Sequence, residues 1–268
     1  MPPFRTLEDN PTLITIHGAW HGPESMANLS HYYNDKFRAV VNLQLPGHGE
    51  EEHDPWLTIG DYVKFVRKEI QKITGPKVAI GHSMGGLVLE KCLQTEDCSC
   101  DAAIFLAPVP TCGALPLTFK NLLTPQFAAG GWKSLLTSNL RHMVDTPEKV
   151  KRLFFSEDTD QSVIKECHQA LGSESFLAYL GMLPPRLNIG DLNADKKLLI
   201  AAQNDALFSV WQQRITAWQY GAVFDVVPTA HDAMLDTNWP VVTSIIDGWL
   251  GIEKQAGNGM RKLHKLAS

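Results

Sequence analysis

A serine flanked by glycines lies at residues 81–85, where the sequence reads GHSMG. The pattern G-x-S-x-G is typical of a nucleophile elbow, a tight strand-to-helix turn that exposes a serine hydroxyl. The apolar run KVAI precedes it, and a helical pattern with a further small residue, Gly86, follows it. The bare pattern arises by chance in roughly one in ten chains of this length. Because its context fits an elbow, we predict that Ser83 is a nucleophile rather than part of an ordinary tight turn.

A serine hydroxyl needs a neighbouring base to become a strong nucleophile. Of the ten histidines, His231 follows the last predicted strand, in VVPTAHDAML, and would lie over the same sheet edge as Ser83. Asp205 follows the preceding predicted strand, KLLIA, which completes the chain order Ser, Asp, His expected with this turn. Asp is also a good helix cap, so capping is the alternative role of Asp205. We predict a catalytic triad of Ser83, His231 and Asp205.

Acyl transfer also requires two N–H groups that stabilise the oxyanion. Met84 begins the helix after Ser83 and is predicted to supply one of them. The loop HGAWHG, residues 17–22, follows the first predicted strand and is expected beside the elbow. We predict Ala19 as the second donor, with Trp20 as the alternative. A glycine-rich turn without a catalytic role is the other interpretation of this loop.

These residues have to be positioned by a sheet, for which the sequence offers six short apolar runs. Most are continuous rather than alternating, as expected for parallel strands covered on both faces: 12–16, 38–43, 77–80, 102–106, 197–201 and 222–227. Helical patterns lie between them at 61–73, 86–94, 209–220 and 240–250. This alternation predicts an α/β fold with a mostly parallel sheet of about six strands flanked by helices.

The predicted core domain comprises residues 1–108 and 191–250. Residues 109–190 contain helical patterns and no strand candidate, which predicts a helical lid inserted above the serine. Residues 251–268 are basic with little apolar content and are predicted to be a disordered tail. We predict a mostly apolar substrate pocket formed by lid residues and by side chains next to the catalytic atoms: Trp20, His21, His82, Phe155, Phe176 and Met182.

The composition excludes several classes of function. With a net charge of −5, the 268-residue chain predicts no basic face for nucleic acid, and no apolar run reaches the roughly 20 residues of a membrane span. The segment MPPFRTLEDNP lacks the apolar core of a signal peptide, which predicts a cytoplasmic protein. Five cysteines at irregular spacing, including the pair in DCSCD, are predicted to be reduced thiols rather than a disulfide framework or a metal site.

Taken in chain order, the motifs HGAW, LPGHG, GHSMGG, QND and HD resemble those of the α/β-hydrolase superfamily across nearly the whole chain. HGAWHG and HDAML are similar to the small esterases that include plant methylesterases and hydroxynitrile lyases. The resemblance implies the triad Ser83–His231–Asp205, an oxyanion hole at Ala19 and Met84, and no cofactor. Gln44 departs from the pattern, since many relatives carry a structural Asp there. Residues 109–190 match least.

The expected function is hydrolysis of a small or medium, largely apolar ester or thioester through an acyl-enzyme on Ser83. Two alternatives remain open. One is a triad-bearing lyase, cyclase or carbon–carbon bond hydrolase, in which the same groups act as base and oxyanion trap. The other is a ligand-binding receptor with slow turnover. The expected partner is a small molecule, whose identity does not follow from the sequence.

Overall fold

The computed structural model describes residues 10–49, 52–115 and 125–252 of the chain. Its sheet has six parallel strands in the order β2-β1-β3-β4-β5-β6, which confirms the predicted fold class. The strands are β1 Thr12–Ile16, β2 Ala39–Leu43, β3 Lys77–His82, β4 Cys100–Leu106, β5 Ala194–Ala202 and β6 Val223–Val227. Each overlaps a predicted run. Most of the predicted tail, residues 253–268, lies outside the described residues.

Nine α-helices cover the described residues: α1 Ala27–Tyr33, α2 Ile59–Lys72, α3 Met84–Leu93, α4 Pro125–Thr137, α5 Pro147–Phe154, α6 Gln161–Ala170, α7 Phe176–Met182, α8 Val210–Tyr220 and α9 Trp239–Leu250. Two 3₁₀ turns span Pro23–Met26 and Leu140–Met143. The sequence patterns indicate α2, α3, α8 and α9 but miss α1. With seven residues, α1 is too short to show a clear helical period. None of the helices in the described ranges is long and apolar enough to span a bilayer.

The sheet separates two hydrophobic cores because successive strand side chains point to opposite faces. In β1, Leu13 faces the core beneath α1 and α9, whereas Ile14 and Ile16 face the core beneath α2, α3 and α8. The second core also includes the helices of residues 109–190, which connect β4 to β5 and are called the inserted segment below. The inserted segment therefore packs on one side of the sheet.

Three glycines allow α3 to pack closely against the strand ends. A Cβ on Gly81 would lie 2.6 Å from the Gly85 carbonyl oxygen, and one on Gly86 would lie 2.6 Å from Cβ of Pro108. A Cβ on Gly85 would lie 2.3 Å from the carbonyl oxygen of Ile16. These contacts are shorter than any side chain tolerates, so the start of α3 meets β1 and β3 backbone to backbone.

One pair of cysteines departs from the prediction of reduced thiols. Cys92, near the end of α3, is joined in a disulfide to Cys98 in the following turn, so the prediction is wrong for this pair. The turn brings their Cα atoms to 6.0 Å, within the range that a disulfide spans. Cys100, Cys112 and Cys167 are free thiols.

The contact at the start of α3 leads to a stability prediction. Gly85→Ala should lower the free energy of unfolding by about 3 kcal/mol or more, because its new Cβ would press on rigid backbone carbonyls. Gly248→Ala in α9 is the matched control, since a Cβ there meets no atom within 4 Å and Ala favours a helix by up to about 1 kcal/mol. Urea denaturation of both variants tests this, and equal stabilities would contradict it.

Candidate active site

Ser83 lies at the turn between β3 and α3 in a strained backbone conformation. Its φ of 50° and ψ of −116° lie outside the regions that non-glycine residues ordinarily adopt. The turn is held by hydrogen bonds from the Ser83 N–H to Leu106 O at 3.1 Å and from the Val109 N–H to Ser83 O at 3.1 Å. The conformation directs the hydroxyl away from the sheet at its carboxyl edge.

The structure brings Ser83, His231 and Asp205 together in one hydrogen-bonded chain. Nε2 of His231 lies 2.9 Å from Ser83 Oγ, and Nδ1 of His231 lies 2.8 Å from Asp205 Oδ2. The other carboxylate oxygen of Asp205 accepts hydrogen bonds from the Leu207 and Phe208 N–H groups at 2.7 and 3.1 Å. These two N–H groups lie in the loop before α8, whose N-cap is Ser209, so the alternative of a helix-capping role for Asp205 is wrong. One oxygen of Asp205 orders this loop while the other contacts the histidine.

The loops that carry the acid and the histidine are tied to each other. Asp205 follows β5 and His231 follows β6, and the N–H of Asn204 donates to Thr229 O at 2.9 Å. Because parallel strands end at the same sheet edge, both loops reach the elbow from one side. The His231 ring packs against Phe154 and Phe208, with centroid distances of 6.1 and 5.5 Å, and is buried.

The two residues predicted as oxyanion donors lie close to Ser83, since Met84 follows it in the chain and Ala19 lines the same pocket. In the hydrogen bonds of the described residues, neither the Ala19 N–H nor the Met84 N–H donates to a protein atom. The N–H of Trp20, the alternative donor, is occupied by Glu174 Oε2 at 3.2 Å. Of the two sequence-based choices in this loop, the geometry therefore leaves Ala19.

Ser83 opens into a small, largely apolar pocket. Besides Ser83, residues 109–190 supply most of the lining, and the loops after β1 and β5 supply the rest: Ala19, Trp20, Val109, Ala114, Met143, Leu153, Phe154, Tyr179, Met182, Leu207 and Phe208. None of the described residues that line the pocket carries a charge. The pocket therefore suits an uncharged apolar group next to the serine.

Only part of the predicted pocket set lines this cavity. Trp20 and Met182 do, but Phe155, Phe176, His21 and His82 do not. Phe154 takes the place predicted for Phe155, because the chain is extended where α5 ends and adjacent side chains point in opposite directions. Phe176 is half-buried and packs against the core instead.

His21 and His82 belong to a buried polar cluster behind the pocket. His21 donates from Nδ1 to Ala19 O at 2.7 Å, and its Nε2 lies 3.0 Å from Asp232 Oδ2. Burial lowers the pKa of His21, but the charge and hydrogen bond of Asp232 outweigh this effect and raise the pKa well above its ordinary value of 6.5. Burial raises the pKa of Asp232, yet the contacts with His21 bring it below 3.8. The two groups form an ion pair.

His82 remains neutral beside this ion pair. It donates from Nε2 to the His231 carbonyl oxygen at 3.1 Å. Burial, followed by the proximity of His231, lowers the pKa of His82 to about 3. Its role is therefore to hold the backbone of His231, which its position next to Ser83 in the sequence did not reveal.

The same cluster contains groups that can ligate a metal. Cys167 Sγ lies 3.9 Å from His21 Nε2, and the ligand atoms of His21, Cys167 and Asp232 all lie within 4.8 Å of one another. Nitrogen, sulfur and oxygen at such spacing suit zinc. In the structure, the direct contact between His21 and Asp232 already pairs their charges.

Glu174 of the inserted segment is another buried carboxylate near the site, and the sequence analysis did not predict it. Its oxygens accept from the Trp20 N–H, from Tyr62 Oη at 2.9 Å and from the Ser175 N–H at 2.7 Å, and they lie 2.9 Å from His48 Nε2. Burial lowers the pKa of His48, but Glu174 outweighs it and raises the pKa. Glu174 lies in the polar stretch GSES, where nothing in the local pattern distinguishes it from a surface residue.

The ion pair of His21 and Asp232 predicts a pH-dependent stability. The contribution of His21, whose pKa is raised, is complete below about pH 6.5 and is lost as the pH rises through its folded value; that of Asp232 is lost only below about pH 3.8. Asp232→Asn should therefore cost about 3–5 kcal/mol near pH 5–6 and less towards pH 9. Thermal unfolding from pH 4 to 9 measures this difference.

Asp247→Asn is the control for this series. Asp247 is buried and pairs with Lys36 at 3.0 Å, and a lysine remains charged over the same range. Its destabilisation should be nearly constant from pH 6 to 9. A constant difference for Asp232→Asn as well would contradict the prediction.

Several solved structures share this fold while being distant from the chain in sequence. Polyneuridine aldehyde esterase is 16% identical, with 89% of this chain and 98% of that chain covered and a TM-score of 0.64. A methylesterase from Arabidopsis is 15% identical, with 89% of this chain and 98% of that chain covered and a TM-score of 0.63. A thermophilic esterase from Thermogutta terrifontis is 20% identical, with 90% of each chain covered and a TM-score of 0.69. At these identities the similarity shows the fold. No curated protein sequence matches the chain.

The family assignment comes from the sequence itself. The profile of the alpha/beta hydrolase family matches residues 13–242, which include β1 from its second residue, the other five strands, and Ser83, Asp205 and His231. This match confirms the resemblance seen in the motifs. The chain belongs to the alpha/beta hydrolase family.

Proposed function

We propose that the protein is a serine esterase that hydrolyses a small or medium, largely apolar ester or thioester through an acyl-enzyme on Ser83. The observation that carries the proposal is the hydrogen-bonded chain from Ser83 Oγ through His231 to Asp205, with links of 2.9 and 2.8 Å, at the base of an apolar pocket. The esterases with the same fold are consistent with it.

In the proposed acylation, His231 Nε2 removes the proton of the Ser83 hydroxyl as Oγ attacks the acyl carbon. Asp205 accepts the hydrogen bond of Nδ1–H, which fixes the tautomer of His231 and stabilises its protonated form. The N–H groups of Ala19 and Met84 stabilise the oxyanion, where loss of one donor typically costs about 3–4 kcal/mol. Protonated His231 then gives its proton to the leaving alcohol or thiol.

Deacylation repeats these steps with water. His231 removes a proton from a water molecule, whose oxygen attacks the acyl carbon, and returns the proton to Ser83 Oγ as the acid leaves. The apolar lining of Phe154, Met182 and Leu207 excludes bulk water, which strengthens the hydrogen bonds to the developing charges. In this proposal the inserted segment acts as the lid that selects the acyl group.

Trapping the acyl-enzyme tests the proposal. After rapid acid quench with a p-nitrophenyl ester, intact-mass spectrometry should show one acyl group on Ser83 that forms and decays at the turnover rate. Ser83→Ala should remove both adduct and turnover. Asp205→Asn should lower kcat by up to about 10⁴-fold, because it favours the wrong tautomer of His231. Ser244→Ala, an exposed serine on α9, should behave as wild type.

Each other outcome identifies an alternative. Full turnover without an adduct, together with an active Ser83→Ala variant, would reject the acyl-enzyme and favour a lyase that uses His231 as a base. Tight binding with negligible turnover across varied esters would favour a receptor. Labelling of Ser83 by a fluorophosphonate tests its nucleophilicity independently of the substrate chosen.

The pocket lining predicts a change in specificity. Met182→Ala removes side-chain atoms from the apolar wall, so it should shift the preferred acyl chain towards longer or branched groups. One methylene in such a pocket changes kcat/KM by about 10-fold or more. The measurement is kcat/KM for p-nitrophenyl esters of increasing chain length. Leu187→Ala, which is 81% exposed, is the control and should leave the preference unchanged. Identical profiles for both variants would contradict the assignment of the pocket.

A further inference from the structure

Trp20, the residue after the proposed oxyanion donor Ala19, adopts a conformation that its own backbone disfavours. Its φ of 64° lies in the left-handed region, which a bulky residue rarely occupies. Such a conformation persists only where surrounding contacts determine it. The contacts that hold Trp20 therefore decide whether the loop keeps the shape that presents Ala19 to Ser83.

All three polar groups of Trp20 are bound by the inserted segment. Its N–H donates to Glu174 Oε2 at 3.2 Å, its carbonyl oxygen accepts from the Gly172 N–H at 2.8 Å, and its indole Nε1 donates to Leu140 O at 3.2 Å. The Gly172 and Leu140 contacts use main-chain atoms. Glu174 alone contributes a side chain, and it is fully buried.

The peptide between Ala19 and Trp20 is held at both ends. Glu174 accepts its N–H, and His21 donates from Nδ1 to its carbonyl oxygen at 2.7 Å. A flip of this peptide would give Trp20 a negative φ and relieve the strain, but it would break both hydrogen bonds at once. The two side chains thus oppose the relaxation that the backbone favours.

We propose that Glu174 and His21 are positioning residues of the oxyanion hole. They clamp the Ala19–Trp20 peptide and thereby fix the backbone of Ala19, whose own N–H, in the preceding Gly18–Ala19 peptide, faces the acyl oxygen. The inference rests on the proposed esterase activity. It assigns the inserted segment a part in catalysis itself, because Glu174 comes from that segment. A replacement of the inserted segment without a carboxylate at this point would lower kcat whatever acyl group it accepts.

Glu174→Gln tests the Glu174 side of the clamp. One carboxylate oxygen accepts from the Trp20 N–H and the other from the Ser175 N–H, and an amide offers an acceptor on one edge only. We expect kcat to fall by about 10- to 100-fold with a much smaller change in KM, which is less than the 10²–10³ of removing a donor outright. In Glu174→Ala, kcat should fall by at least the same factor.

A thionoester substrate distinguishes a loss of oxyanion stabilisation from a general loss of folded enzyme. Its thiocarbonyl sulfur is larger than oxygen and a weaker hydrogen-bond acceptor, so an intact oxyanion hole strongly favours the oxygen ester. Damage to the hole should therefore reduce the ratio of kcat/KM for oxygen ester to thionoester in Glu174→Gln. A general loss of folded enzyme would lower both rates and leave their ratio unchanged.

Asp247→Asn is the matched control. Like Glu174, Asp247 is a buried carboxylate that accepts from a tyrosine hydroxyl and pairs with a cation, here Tyr32 and Lys36, but it lies on α9 at the opposite face of the sheet. It should lower the melting temperature while leaving kcat and the ester ratio as in wild type.

Two variants of His21 test its hydrogen bond to the Ala19 carbonyl oxygen while Glu174 remains intact. The amide of His21→Asn lies near the position of Nδ1 and still donates to Ala19 O, whereas that of His21→Gln lies near Nε2 and reaches Asp232 instead. His21→Asn should therefore retain the higher kcat and ester ratio. Equal kcat values and equal ester ratios for the two variants would overturn the assignment of His21. This test does not depend on whether Glu174→Gln folds.

A crystal structure of Glu174→Gln separates this inference from the proposed function. If wild-type enzyme shows no Ser83-dependent turnover, the esterase proposal fails, and the clamp is judged on the conformation of Trp20 alone. A negative φ at Trp20 in Glu174→Gln supports the clamp. A φ that stays near 64°, or a folded Glu174→Gln enzyme with wild-type kcat and ester ratio, overturns it.

Discussion

The contact between α3 and the ends of β1 and β3 is the constraint on which the site depends. Gly85 lies against the Ile16 and His17 carbonyl groups with no room for a Cβ, and the turn that leads into this contact holds Ser83 in its strained conformation. The serine hydroxyl is thereby fixed at the carboxyl edge of a parallel sheet. Its partners then have to come from loops after other strands, and they do so after β5 and β6.

Much of this arrangement could be predicted because it follows from topology. The strands are continuous apolar runs, which predicts a parallel sheet whose strands all end at one edge. Asp205 and His231 follow two of these strand ends and could therefore be predicted to lie beside Ser83 without any knowledge of side-chain contacts. The same reasoning fails for short or context-dependent features. Helix α1 has seven residues and no distinct period, and the pairing of Cys92 with Cys98 depends on how the chain turns after α3.

Side-chain direction and long-range pairing set the limit of prediction. Phe154 and Phe155 are equivalent in sequence, and only the extended end of α5 decides which one enters the pocket. Glu174 stands in a polar stretch and is buried because Tyr62 and His48, more than 100 residues away in sequence, meet it. The sequence position of His21 predicts a pocket residue, but in the structure His21 pairs with Asp232 instead.

Two residues with strained backbones at this edge of the sheet are held mainly by different contacts. Ser83 and Trp20 both have left-handed φ values, but backbone packing against α3 holds the first, whereas hydrogen bonds from the inserted segment hold the second. The Met84 N–H therefore belongs to a rigid unit, and the Ala19 N–H belongs to a loop whose shape depends on a separate part of the chain. The proposed oxyanion hole is therefore complete only when the inserted segment is in place. Under this proposal, the packing of that segment is coupled to the electrostatic stabilisation of the reacting group.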